Sequence, residues 1–239
     1  MRDLLVAHRG EPLHWPENSL EGYRAVLGAG ALFLETDVQI SGDGIPLLSH
    51  DASVFAATGR DLVVTETPAA RLLELPAGYA DRFGQRFNDQ RITRLAALVE
   101  LLAAWPAAHA FVEIKRDSVL AFGIERVARI VVDELAPISG RCTVISFDYP
   151  LLEHIQAVHR LSVGWVLSAW HATERGQAEA LAPGFLFVDR RRLPSPPESL
   201  WPGPWRWVAY TANTHTEIGR LRARGFDLIE TDDIRELLR

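Results

Sequence analysis

Eight short apolar runs alternate with helical patterns along the chain, and this rhythm restricts the fold more than any other feature. The runs lie at 4–7, from 33 onwards, and at 111–115, 143–147, 162–167, 185–188, 207–211 and 227–230. Helical spacing occupies 20–27, 95–105, 124–135, 151–158 and 216–224, bounded by Gly28 or Gly30, Pro106, Pro137, Gly140 and Gly225. Strands joined through helices must run parallel, because the crossover brings each strand back in the same direction. Eight such units in 239 residues predict an α/β chain of the (β/α)8 TIM barrel type. Catalytic groups of that architecture sit at the C-terminal ends of the strands. An open doubly wound sheet is the alternative, but no glycine-rich dinucleotide loop supports it.

The stretch 33–51, reading Phe-Leu-Glu-Thr-Asp-Val-Gln-Ile-Ser-Gly-Asp-Gly-Ile-Pro-Leu-Leu-Ser-His-Asp, carries the densest chemistry. Glu35 and Asp37 alternate with Leu34, Thr36 and Val38, so both carboxylates project from one face of a strand. Like charges held that close repel unless a cation lies between them. Ser41-Gly42-Asp43-Gly44 turns the chain, and a connection so short makes 46–50 the return arm of a hairpin. That arm brings His50 and Asp51 back beside the carboxylates. A surface hairpin with solvated acids is the plainer alternative. Residues 52–92 then break the alternation and read as an insertion over the mouth of the fold.

Glu113 and Lys115 share a face of the next parallel strand, while His8 and Arg9 follow the first one. The three carboxylates Glu35, Asp37 and Glu113 form an all-oxygen set, which favours a hard cation such as Mg2+ or Ca2+. Arg9 and Lys115 add positive charge for an anionic group such as a phosphate. His8 and His50, with ordinary values near 6.5 for imidazole, supply an acid and a base close to neutrality. A polarising metal, a cationic clamp and two proton-transfer groups are the parts that phosphodiester cleavage requires.

These motifs resemble the glycerophosphodiester phosphodiesterase family. The matching segments are Ala-His-Arg-Gly at 7–10, Pro-Glu-Asn-Ser at 16–19, Glu-Thr-Asp-Val-Gln at 35–39, Asp-Gly and His-Asp at 43–44 and 50–51, and Glu-Ile-Lys at 113–115. Ile-Ser-Phe at 145–147 and Thr-Asp at 231–232 extend the likeness over essentially the whole chain. The resemblance implies one barrel domain over 1–239, with an insertion after the His-Asp motif. It implies acid–base catalysis by His8 and His50, a divalent metal on Glu35, Asp37 and Glu113, and phosphate contacts from Arg9 and Lys115, with Asn18 ordering the loop between them. Two departures stand out. Tyr210-Thr211-Ala212-Asn213 has tyrosine where the family usually has tryptophan, which marks Tyr210 as a substrate-binding residue of altered preference. Arg91-Ile92-Thr93-Arg94-Leu95 replaces the family's usual Ile-Pro-Thr-Leu and leaves the register of the insertion open.

The expected reaction is metal-dependent hydrolysis of a glycerophosphodiester to glycerol 3-phosphate and an alcohol. Either water attacks directly, or the substrate's neighbouring hydroxyl attacks first to give a cyclic phosphate. A lysophospholipase D-like activity on lipid head groups and a non-catalytic phosphate-ester-binding barrel are the competing readings. A net charge of −6 argues against nucleic acid and anionic membranes as partners. One cysteine, Cys142, excludes a disulfide framework, and no long apolar segment offers a membrane span. A soluble, cytoplasmic enzyme acting on a small molecule follows, of unspecified oligomeric state. Arg190-Arg191-Arg192 reads as a solvated loop, and Trp201, Trp205 and Trp207 as core packing in preference to a site for a choline-type cation. His14, His109, His154, His159, His171 and His215 read as ordinary surface or helix residues. Ser146 lacks the flanking glycines of a serine nucleophile.

Overall fold

The computed structural model describes residues 1–194 and 199–239. Eight parallel strands close into a barrel: β1 (Leu5–Ala7), β2 (Phe33–Ile40), β5 (His109–Ile114), β6 (Cys142–Ser146), β7 (Val163–Val166), β8 (Phe185–Asp189), β9 (Arg206–Tyr210) and β10 (Leu228–Thr231). Two further strands, β3 (Pro46–Leu48) and β4 (Thr93–Arg94), pair antiparallel outside the ring, β3 on β2 and β4 on β3. Closure is made by β1, which pairs Val6 with Phe33 on one side and Leu5 with Ile229 on the other. All eight strand runs of the sequence are present, and the expected hairpin returns with Val38 opposite Leu48. Among the described residues no helix is long and apolar enough to cross a membrane.

Strands of a barrel are covered on both faces, which explains their apolar runs: every residue of β1, β6, β7 and β10 is buried. Outside, the amphipathic helix Ile124–Leu135 lays Val127, Ala128, Val131 and Leu135 against the sheet. Each of the valine and leucine side chains contributes about 1.5–3 kcal/mol by leaving water. Leu20–Gly28 starts at Ser19, whose hydroxyl accepts the Gly22 N–H. Inside, Val6, Phe111, Ile145, Val166, Phe187, Val208 and Leu228 fill the ring, with Phe33 and Phe185 packed against them.

Side chains alternate in and out with period two, so each strand carries its interior pattern from apolar to polar towards its C-terminal end. On β2 the inward series is Phe33, Glu35, Asp37. On β5 it is His109, Phe111, Glu113, and on β10 it is Leu228, Glu230. The apolar plug therefore ends where a polar floor begins.

The insertion 52–92 is not irregular chain. It contains the short helices Phe55–Thr58, Ala69–Leu73 and Ala80–Phe83, and a separate small core of Val54, Val64, Ala69, Leu72, Ala77 and Ile92 against Leu47. Its end is fixed by β4, with Thr93 opposite Leu48 and Arg94 opposite Leu47, which settles the register left open by Arg91–Leu95. It stands beside the mouth, against the loop after β1: Arg82 pairs with Glu17 at 2.6 Å and donates to the Pro12 carbonyl.

Candidate active site

A pocket of about 420 Å³ opens at the C-terminal ends of the barrel strands, lined by His8, Arg9, Glu35, His50, Glu113, Lys115, Tyr210 and Glu230. Seven of the eight residues expected from the sequence line it, and the eighth, Asp37, lies at its floor with no exposed surface. Strand register explains the meeting: Asp37 is opposite Glu113, and Val6, two residues before His8, is opposite Glu230.

Ligand oxygens of Glu35, Asp37 and Glu113 all lie within 4.8 Å of one another, the compass of a single cation. Burial raises the Glu35 carboxyl well above its usual range, and the charges of Asp37 and Glu230 raise it further. Glu113 is raised by burial and then by Asp37. Asp37 is fully buried too, which alone would raise it, yet Arg9 and Lys115 hold it well below the usual carboxylate range. Two of three acids are thus short of positive charge, which a hard divalent ion among all-oxygen donors would supply. The donor set fits such an ion.

The two cations are bound into this cluster. Arg9 Nε lies 3.0 Å from Asp37, and Arg9 Nη1 donates to Glu17 at 2.9 Å. Lys115 Nζ donates to Glu113 at 2.7 Å and to Asp37 at 3.3 Å. Burial works against both charges, but the surrounding carboxylates outweigh it and raise both values.

Each imidazole is held at Nδ1 by a carboxylate. His8 Nδ1 donates to Asp232 at 2.6 Å, and His50 Nδ1 to Asp51 at 2.7 Å. Asp232 stays ionised, since its bond to His8 lowers it despite burial. Both Nε2 atoms are left for the pocket; that of His8 stands 3.9 Å from Glu35. A ring fixed in this way presents one defined nitrogen for proton transfer.

Two asparagines lock the backbone behind these acids in the same manner. Asn18 Oδ1 accepts from Thr36 Oγ1 at 2.9 Å and from Asp37 N at 3.1 Å, while its amide donates to Asp37 Oδ2 at 3.1 Å. Asn213 Oδ1 accepts from Thr231 Oγ1 at 3.0 Å and from Asp232 N at 2.8 Å, and its amide donates to Asp232 Oδ2 at 3.0 Å. The tripeptide Glu-Thr-Asp occurs at both places, 35–37 and 230–232, on the two strands flanking β1. Asp232, Asn213 and Glu230 were not expected as site residues; this recurrence was the sequence signal for them. Burial pushes the Glu230 carboxyl up to about 7, His8 opposing and Glu113 adding to the shift.

Other expectations need correction or find their place. His109 is neither on the surface nor on a helix: it sits inside the barrel below the pocket, 5.1 Å from the Phe111 ring, and burial lowers it to about 4. His14 contacts Asp233 at 2.9 Å and forms a second three-ligand group with Glu11. Glu11, however, already accepts from the Arg235 backbone at 2.8 Å and from its side chain, so an ion-pair knot accounts for it. Trp201, Trp205 and Trp207 are buried in the core. Ser146 is buried and donates to the Ile114 carbonyl. The 190–192 run forms a turn after β8, with Arg191 paired to Asp189 and Arg190 to Glu217.

Residues 8–140, more than half of the chain, match the model of the glycerophosphoryl diester phosphodiesterase family. The chain belongs to that family. As a member it is a hydrolase of phosphoric diesters. A glycerophosphodiester phosphodiesterase of Caldanaerobacter subterraneus subsp. tengcongensis is 27% identical across 100% of this chain and 97% of its own. A glycerophosphoinositol inositolphosphodiesterase of Mus musculus is 41% identical, but over 29% of this chain and 14% of its own. Among solved structures, a phosphodiesterase of Oleispira antarctica in complex with the product sn-glycerol-3-phosphate superposes with a TM-score of 0.85 at 23% identity, covering 98% of this chain and 94% of that one. A glycerophosphodiester phosphodiesterase of Thermotoga maritima superposes at 0.74 with 21% identity, covering 98% and 96%. Both share the barrel of this chain.

Proposed function

We propose that this chain hydrolyses soluble glycerophosphodiesters to glycerol 3-phosphate and an alcohol, using His8 and His50 as the acid–base pair and one Mg2+ or Ca2+ held by Glu35, Asp37 and Glu113. The observation that carries the reading is the convergence on one pocket of two imidazoles, each tied at Nδ1 to a carboxylate, and a three-carboxylate cluster. When bound, the cation supplies Lewis-acid polarisation of a phosphoryl oxygen. Arg9 and Lys115 orient the phosphate and balance its charge. Neutral Nε2 of one imidazole takes the proton from the attacking oxygen, either that of water or that of the substrate's neighbouring hydroxyl. In the second case water then adds to the cyclic phosphate and opens it to glycerol 3-phosphate. The other imidazole, protonated, gives its proton to the departing alkoxide, and the bond from phosphorus to that oxygen breaks. Asp232 and Asp51 keep each ring in the tautomer that offers Nε2, and stabilise it when charged.

The chain acts as one catalytic domain over 1–239 with 52–92 as its insertion. We place it in the cytoplasm, in keeping with a lone, unpaired Cys142. A small diester suits the narrow pocket, and a net charge of −6 disfavours a polyanion. Single replacements H8A and H50A test the pair. Each is expected to lower kcat for glycerophosphoethanolamine by about 10²–10⁴-fold, with the fold retained by circular dichroism. Near-normal turnover by either variant contradicts a two-histidine reaction.

A further inference from the structure

Glu230 has no role in the chemistry above, yet it faces the pocket. It is 4% exposed, and its Oε1 has no hydrogen-bond partner among the described residues. A buried carboxyl oxygen without a hydrogen-bond partner is unfavourable, so a site that keeps one is expected to fill it with ligand. A second metal does not answer the need. Among the described residues the groups of three close ligand atoms are Glu35, Asp37, Glu113 and Glu11, His14, Asp233, and Glu230 is in neither. Neither protein cation of the pocket is spare: Arg9 is held by Glu17 and Asp37, and Lys115 by Glu113 and Asp37.

The setting of Glu230 defines what it takes. The metal-binding acids stand on β2 and β5, whereas β6 to β9 line the rest of the pocket with Ile145, Phe147, Val166, Phe187 and Tyr210. Phe147 is 40% exposed at this mouth. Tyr210 feels Glu230 more strongly than any other charged group. The cations and metal ligands for a phosphate gather after β1 and on β2 and β5, and Glu230 on β10 stands where that charged floor meets the aromatic and aliphatic walls. The complementary ligand is a phosphodiester whose alcohol carries a positive charge. A primary ammonium donates hydrogen bonds to Oε1, neutralises the buried carboxylate and lies against ring faces. A quaternary ammonium has charge but no donor, and a hydroxyl has a donor but no charge.

On the reading proposed above, we propose that Glu230, with Tyr210 and Phe147, forms the subsite for the alcohol half of the diester and selects alcohols bearing a primary ammonium, as in glycerophosphoethanolamine. The test compares kcat/KM for glycerophosphoethanolamine, glycerophosphocholine and glycerophosphoglycerol, with Mg2+ or Ca2+ present, in the unmodified protein and in E230Q. The unmodified protein is expected to favour the ethanolamine diester at least tenfold over the glycerol diester, with the choline diester between them. E230Q is expected to lower the ethanolamine value at least tenfold more than the glycerol value. Equal losses on all three, or no preference in the unmodified protein, overturn the subsite. Saturation-transfer NMR with free ethanolamine reads the subsite without turnover. Contact in the unmodified protein that E230Q removes, alongside no hydrolysis of any diester, upholds the subsite and sinks the diesterase reading. Absence of that contact in the unmodified protein counts against the subsite whatever the turnover.

Discussion

His8 shows how this chain turns an ordinary residue into a directed one. Its ring lies at the end of a three-residue strand, gripped by Asp232, which is gripped in turn by Asn213. The D232N variant keeps the volume but offers an amide that can donate to Nδ1, so the ring no longer presents one fixed tautomer. Loss of such an orienting carboxylate is expected to cost about 10–100-fold in kcat, with KM nearly unchanged. Steady-state kinetics check this; an unaltered kcat would mean that Asp232 does not orient the ring. Most of the site was legible at this scale, because period-two spacing aligned Glu35 with Asp37 and Glu113 with Lys115 on single faces. Glu230 on β10 and Asp232 just past its end obey the same spacing. They went unread because their partners, His8 and Asn213, are distant in sequence and meet them only through barrel closure and the chain's turn after β9.

The elements divide into those whose pattern is local and those made by contact. Helix Ile124–Leu135 was legible to the residue, since a buried stripe every three or four residues and flanking glycine and proline mark it. The insertion was not, because its helices are four or five residues long and owe their form to a small shared core. Strand β4 has two residues and exists only by pairing with β3. That separate core predicts separate stability. L72A, which empties a fully buried position there, is expected to destabilise the insertion by about 2–5 kcal/mol. Amide hydrogen exchange should speed up within 52–92 while the barrel strands keep their protection. Equal acceleration across the barrel would show the insertion and barrel to unfold together.

For the whole molecule, the barrel places an apolar plug under a charged floor, and each half limits the other. His109 in the plug has a value near 4 against the ordinary 6.5, burial first and Arg206 second. As pH falls from 6.5 towards 4, the unfolded chain takes up a proton there that the folded one refuses, so stability falls by up to about 3 kcal/mol. H109Q should flatten that part of the decline in urea midpoints between pH 7 and pH 4.5; parallel curves for the two proteins would contradict the assignment. The charged floor holds the central claim, that a divalent ion on Glu35, Asp37 and Glu113 serves two histidines in diester hydrolysis. Its most direct test is glycerol 3-phosphate release from a panel of glycerophosphodiesters, with EDTA and then with Mg2+ or Ca2+ restored. Turnover that vanishes with EDTA and returns with one of these ions is the predicted result. Turnover that EDTA leaves intact would contradict the account of the three-carboxylate site.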